Sequence, residues 1–296
     1  MCSESMLYHY TDAAALIGLV GTSSQPAKMW LTSQSCMNDS SEYYHAYAMC
    51  RLVIYETDRD RFPHISRIMA ELGGLLSEAD RHRAMAGGRS SSGAFSFSLS
   101  EKEDLLSQWR GYTPSGGFSI GFKTSDLERL ANENGLSLER CVYDDADKRR
   151  IIVEALLPIE ADLANGVIGQ EMIPGFEACG HREKADICGR LKMYAKVASL
   201  AGYLKNEGFR EEHEWRIVGY PLNDKKVPTA YRGSGGRIIP YIELDISPQS
   251  PHPLPVGAII VGPGQEFAMA ENAIASMFRA NEFTCSIKAS RLTLRR

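Results

Sequence analysis

A chain of 296 residues, 44% apolar and 24% charged, has the composition of a globular protein with room for one large domain or two small ones. Its net charge of −4 supplies no overall basic field, which argues against a general nucleic-acid binder and leaves only a local basic patch open. The seven cysteines (Cys2, Cys36, Cys50, Cys141, Cys179, Cys188 and Cys285) are scattered and never spaced Cys-x-x-Cys, a pattern that excludes a zinc ribbon and points to reduced thiols in a cytoplasmic protein. The opening MCSESMLYHY has no basic segment leading into an apolar one, and the longest apolar runs, such as Ala13 to Val20, are too short to span a bilayer. No membrane partner is expected.

In chain order, Met6 to Thr11 reads as an aromatic-rich strand, and Asp12 as the N-cap of a helix over 13–20 that Gly21 closes. Lys28 to Ser33 is a second strand. Asn38-Asp39-Ser40-Ser41-Glu42 carries capping residues and opens a helix to about Thr57, and a further helical region covers Arg61 to Met85. Gly87 to Gly93 reads as a mobile loop. Ala94 to Ser100 alternates strictly, with Phe95, Phe97 and Leu99 on one face and Ser96, Ser98 and Ser100 on the other. A short helix over 101–110, a strand over 116–122, a helix capped by Ser125 or Asp126 and a strand over 140–144 follow. Helices are expected over 147–163 and 182–206, strands over 212–218, 237–244 and 256–261, a helix over 266–280 and a last strand near 284–289.

Strands and helices interleave without regular βαβ spacing, and no strand leads into Gly-x-Gly-x-x-Gly, so a classical dinucleotide fold is not expected. The reading is a single α+β domain over 1–296 on a mostly antiparallel sheet, with a helical insertion at about 51–85.

The densest chemistry lies in Glu212-His213-Glu214-Trp215-Arg216-Ile217. On a strand, Glu212, Glu214 and Arg216 share one face, and His213, Trp215 and Ile217 the other. Two carboxylates so placed repel unless a cation stands near, which is how a site that stabilises positive charge is built. The plainer reading pairs Arg216 with Glu214 or with a cross-strand acid. In Tyr8-His9-Tyr10-Thr11, one imidazole between two phenol rings suits a ligand needing a hydrogen bond and a stacking platform; an ordinary edge strand is the alternative. The Ser96, Ser98 and Ser100 hydroxyls line either a cleft or a solvated face. Trp109-Arg110-x-Tyr112 before Gly116-Gly117 joins a planar cation, two aromatics and close-approach backbone, which fits a phosphate-bearing ligand or simple helix-end packing. Gly262-Pro263-Gly264 lacks the Lys-Ser/Thr of a phosphate loop and reads as a turn. Asp144, Asp145 and Asp147 read as a solvated turn, and no metal-ligand spacing is present.

Taken in order, Tyr8-His9-Tyr10-Thr11, Trp30-Leu31-Thr32-Ser33, Asn38-Asp39-x-x-Glu42, Phe95-Ser96-x-Ser98, Trp109-x-x-Tyr112, Gly117-Phe118-x-Ile120-x-Phe122, Glu212-x-Glu214-Trp215-Arg216 and Ile260-x-Gly262-Pro263 resemble, over nearly the whole chain, a bacterial family of unknown function, the domain-of-unknown-function family twenty-nine seventy-one. That label carries no activity. More distantly, a His-bearing first strand, a Phe-x-Ser-x-Ser strand and a Glu-x-Glu strand resemble the ADP-ribosyltransferase superfamily. The resemblance implies a split, mostly antiparallel sheet with helical insertions, and NAD as substrate without a metal. It makes His9 the NAD-orienting residue, Ser96 and Ser98 the cleft scaffold, Glu214 the catalytic acid and Glu212 the acid facing the acceptor. Tyr8, Tyr10 or Tyr112 would stack on nicotinamide, and Arg110 would hold the pyrophosphate. Phe97 stands where the toxin-like motif has Thr, and neither a His-Gly-Thr nor a Tyr-Gly-x-Gly-Ile-Tyr motif is present.

The expected function is an NAD-dependent ADP-ribosyltransferase or NAD glycohydrolase, of the kind a bacterial toxin or anti-phage effector uses on a nucleic-acid or protein acceptor. The alternatives are a metal-independent nuclease using His9, Tyr10, Arg110 and Glu214, and a non-catalytic nucleotide sensor using the same cleft.

Overall fold

The computed structural model describes residues 5–22, 24–36, 41–73, 94–113, 116–166, 180–219, 229–234, 236–250, 253–280 and 285–293. Strand β1 (Met6–Thr11) leads into helix α1 (Ala13–Val20), and β2 (Lys28–Ser33) follows. Helices α2 (Ser41–Leu52) and α3 (Pro63–Gly73) precede β3 (Phe95–Ser100), α4 (Leu106–Tyr112), β4 (Phe118–Lys123), α5 (Thr124–Glu133) and β5 (Ser137–Arg140). Next come α6 (Asp145–Ala164), α7 (His181–Ala201), β6 (Glu214–Gly219), β7 (Thr229–Ser234), β8 (Arg237–Asp245), β9 (Ala258–Val261), α8 (Phe267–Ala280) and β10 (Ser286–Ala289). The fold is α+β, with a mixed and mostly antiparallel sheet.

Where the sequence reading counts one domain, the contacts separate two units. The first comprises Met1–Cys36, Phe95–Cys141 and Gly208–Arg296; the second comprises Met37–Ala94 and Val142–Glu207. All the strands named above fall in the first unit. Their order is β10-β9-β4-β1-β3-β2-β8-β7, with β6 pairing β3 and β5 off this path, and only β10 and β9 run parallel.

One face of this sheet is apolar because its strands alternate. Phe95, Phe97 and Leu99 of β3 share a core with Leu7, Leu31, Ile120, Ile217, Ile242 and Ile259, and with Leu16 and Leu19 of α1, Leu127 and Leu130 of α5 and Ile274 and Phe278 of α8. Each such side chain contributes about 1.5–3 kcal/mol when fully buried. Asp12 caps α1 by accepting from the Ala15 N–H at 2.9 Å, as its side-chain type favours.

The second unit is helical, with a core that includes Cys50, Ile54, Phe62, Ile65, Ile152, Leu156, Val197 and Leu200. Glu160 of α6 accepts from the His64 and Ile65 N–H groups, satisfying the start of α3. Burial pushes the Cys50 thiol up to about 12, leaving it inert at neutral pH. The described part of the expected insertion near 51–85 lies in this unit; its remainder, the Gly87–Gly93 segment and Asn38-Asp39-Ser40 lie outside the described residues.

Several element boundaries differ from the sequence expectation. The strand expected over 140–144 is instead β5 (Ser137–Arg140), and Asp144 turns away to cap α6 by accepting from the Ala146 and Asp147 N–H groups. Strand β7 went unrecognised because Thr-Ala-Tyr-Arg-Gly-Ser is short, largely polar and closed by Gly.

Gly117, just ahead of β4, is a close-approach position. A Cβ there would meet the Thr11 carbonyl oxygen at 2.5 Å and the Thr113 methyl at 2.4 Å. Its own carbonyl accepts from the Gly262 N–H at 2.8 Å. Gly117→Ala is expected to destabilise the protein by about 1–3 kcal/mol, read as a lower urea midpoint at unchanged slope.

Candidate functional site

Strand β3 has two edges and three partners. One edge pairs with β6 along its whole length, from Phe95↔Gly219 to Ser100↔Glu214. The other edge is shared. Strand β1 holds it at Tyr8↔Ser100, and β2 holds it at Thr32↔Ser96 and Ser33↔Phe95. Between these two grips the sheet splits, and Ser98 sits at the fork. Its carbonyl accepts from His9 Nδ1 at 2.8 Å. A carbonyl only accepts, so Nδ1 carries the proton and Nε2 keeps its lone pair. The His9 ring stacks on Phe97 at 4.1 Å and 25°. Burial holds its pKa down to about 4, so the imidazole is neutral at pH 7.

The register decides which side chains share a face. Tyr8 lies opposite Ser100, which lies opposite Glu214; Ser98 lies opposite Arg216 and Ser96 opposite Val218. Tyr8, Ser96, Ser98, Ser100, Glu214 and Arg216 therefore occupy one polar face. His9, next along β1, takes the other face with Phe97 and the core. The expected shared cleft of His9 and Glu214 is corrected by this parity.

Two further corrections concern the Glu-x-Glu segment. Strand β6 begins at Glu214, not Glu212. Glu212 ends a 3-10 turn over Glu207–Glu212, and His213 adopts φ 45, a left-handed conformation that breaks the alternation. The Glu212 carbonyl accepts from the Ser100 hydroxyl at 2.7 Å. Trp215 is only partly buried, with its Nε1 donating to Glu101 at 2.9 Å, whereas Ile217 is fully buried.

Glu214 and Arg216 form a bidentate ion pair. Arg216 Nε donates to Glu214 Oε1 at 2.7 Å and Nη2 to Oε2 at 3.0 Å. The two residues are 4% and 2% exposed, so this is a buried pair and not a wet surface contact. The Ser row is not a solvated face either, since Ser96 and Ser100 are buried and Ser98 Oγ is buried without a partner.

The other expected site residues disperse. The Tyr10 hydroxyl donates to the Lys102 carbonyl and accepts from the Leu105 N–H, and its ring packs edge-on against Trp109 at 4.7 Å. Burial raises its pKa. Tyr8 also titrates high, first through burial and then through Glu103. Arg110 and Tyr112 lie exposed on α4. A cavity of about 340 Å³ is lined by Glu103, Asp104, Ile260, Lys288, Ala289 and Arg291. Glu103 pairs there with Lys288 and Arg291, and Asp104 accepts from Trp109 Nε1, Ser290 Oγ and the Arg291 N–H, which ties the end of β10 to α4.

Sequence reasoning missed a second polar cluster on the same face. Arg232 of β7 donates to Thr32 Oγ1 at 3.0 Å and lies 5.5 Å from the Trp30 ring and 6.0 Å from the Tyr241 ring. Only the unrecognised strand β7 brings Arg232 there. Among the described residues, no group of three or more His, Cys, Asp or Glu side chains is placed to hold a metal ion, and no helix is long and apolar enough to cross a membrane.

Residues 108–217 match a family model described as "Protein of unknown function (DUF2971)". The matched stretch contains Trp109, Tyr112, Gly117 to Phe122 and Glu212 to Arg216, while Tyr8 to Thr11, Trp30 to Ser33 and Ser96 and Ser98 lie outside it. No curated protein matches the chain, and no solved structure matches it.

Replacing Arg216 takes a buried counter-charge away from Glu214. Arg216→Met is expected to cost about 3–5 kcal/mol by denaturant melts, and the double change Arg216→Met with Glu214→Leu to recover most of that loss. His9 gives a pH signature. Its folded pKa lies below the unfolded value, so protons bind the unfolded chain preferentially once pH falls below about 6.5. Stability is full above that pH and drains as pH falls toward about 4, by a total on the order of 3 kcal/mol. His9→Asn, which retains a donor toward Ser98, is expected to flatten this slope in melts run between pH 7 and pH 4.5.

Proposed function

We propose that the first unit uses an NAD-class dinucleotide as substrate, as an ADP-ribosyltransferase or NAD glycohydrolase, with Glu214 beneath the nicotinamide ribose. The observation that carries this reading is a buried carboxylate, Glu214, fixed in orientation by Arg216 and flanked on one face by Ser98, Ser100 and Tyr8. In the reaction the C1′–N bond breaks heterolytically, its electron pair leaves with neutral nicotinamide, and positive charge develops on the ribose. A preoriented carboxylate lowers the energy of that charge and accepts from the 2′-hydroxyl. Water or an acceptor nucleophile then forms the new bond at C1′ and passes its proton to the Glu212 carboxylate, the acidic residue toward the acceptor.

His9 has no ligand contact in this proposal, because the register gives it to the core face. It acts instead through the Ser98 backbone, as a positioning residue. Arg110 is likewise not needed at the pyrophosphate.

A second reading, a nucleotide sensor without chemistry, draws support from one feature. Arg216 engages both Glu214 oxygens, so the pair is neutral overall and offers less to a developing cation. Nicotinamide release separates the two. The first reading predicts release by wild-type protein with NAD and cell extract. It also predicts that Glu214→Gln lowers turnover about a hundredfold or more at near-normal NAD affinity. Saturable NAD binding with no nicotinamide released under any condition would leave the sensor and exclude the transferase.

A further inference from the structure

We infer that Trp30, Tyr241 and Arg232 form a nucleotide-binding subsite: Trp30 stacks the base while Arg232 holds a phosphate, with Gln34 at the end of β2 as a further donor. Two unsatisfied donors argue for the anion. Arg232 Nε and Gln34 Nε2 are buried without any hydrogen-bond partner. Each such donor costs about 1–3 kcal/mol, and buried donors are rarely left in that state. An acceptor-rich group such as phosphate suits the Arg232 donor, and arginine is the side chain best shaped for it. Arg232 Nη2 already binds Thr32 of β2, and Gln34 opens the 3-10 turn that follows that strand.

The ring argues for the base. Trp30 is 40% exposed, which is unusual for an indole on a sheet face. It is nevertheless held rigidly. Its Nε1 donates to Glu243 Oε2 at 2.9 Å, Glu243 is gripped in turn by Lys28, and the Tyr241 ring backs it at 4.5 Å. A fixed, half-exposed aromatic beside an arginine with a spare donor offers stacking and phosphate contact together.

The placement fits the fork in the sheet. Trp30 lies on β2 and Tyr8 on β1, on the same polar face, with Ser98 and its unpartnered hydroxyl between the two strands. The subsite shares the ligand class of the proposed function but none of its catalytic residues. A mononucleotide is favoured over a polynucleotide because the chain carries a net charge of −4.

The test is calorimetric titration of the full chain with AMP, ADP-ribose and inorganic pyrophosphate, with a melting curve on every variant. AMP and ADP-ribose are expected to bind saturably, and pyrophosphate at least about tenfold more weakly because the ring contributes. Arg232→Lys and Trp30→Ala are each expected to weaken AMP by about tenfold or more, and Trp30→Phe to keep most of it. If Arg232→Lys fails to fold, the two Trp30 variants decide. The inference is overturned if AMP shows no saturable binding up to about 10 mM, if the Arg232 and Trp30 variants bind it normally, or if only single-stranded oligonucleotide binds. Nicotinamide release with normal AMP binding by these variants removes the subsite and spares the proposed function. AMP binding through Arg232 without nicotinamide release does the reverse.

Discussion

The hydrogen bond from His9 to the Ser98 carbonyl is what allows one strand to serve three partners. Where β1 and β2 part, the backbone between Ser96 and Ser100 loses its ladder on that edge, and a buried carbonyl without a donor is costly. An imidazole reaches where no strand can follow and supplies the missing N–H. Stacking on Phe97 fixes the ring, and burial keeps it neutral. The fork is then a stable feature of the sheet, with Ser98 at its base.

From that constraint the division of labour between the faces follows. Phe97, Leu99 and Ile217 close one side with α1, α5 and α8, and His9 belongs there as a polar plug in apolar surroundings. The opposite face collects Tyr8, the serine row, the Glu214–Arg216 pair and the Trp30–Tyr241–Arg232 cluster. A buried ion pair contributes little net stability compared with an apolar pair of the same size, since both charges are desolvated. What it supplies is a carboxylate of fixed orientation, and that property makes this face the candidate site.

Much of the fold was legible in the sequence because the governing signals are local. Met6–Thr11 reads as a strand from its aromatic content, Lys28–Ser33 reads as a second strand, and α1 follows from Asp12 and Gly21. Phe95–Ser100 showed its two faces directly. Glu212 was misplaced because nothing in Glu-His-Glu announces a left-handed His213. His9 was misplaced for a different reason. Whether it shares a face with Glu214 depends on a register passed from β1 through β3 to β6, across some two hundred residues, and one residue of slip reverses it. Arg232 escaped notice because Trp30 lies about two hundred residues upstream and Tyr241 on the neighbouring strand β8.

The central claim is that ligand binds the polar face, with His9 behind it. The direct measurement is NMR titration of the labelled protein with ADP-ribose, following the indole N–H and imidazole signals. The Trp30 indole and the Arg232 Nε–H are expected to shift in step with saturation, while the Trp109 indole and the His9 ring, neutral with its proton on Nδ1, hold their positions. A titration in which the His9 ring responds and the Trp30 indole does not would place the ligand on the other face and contradict this arrangement.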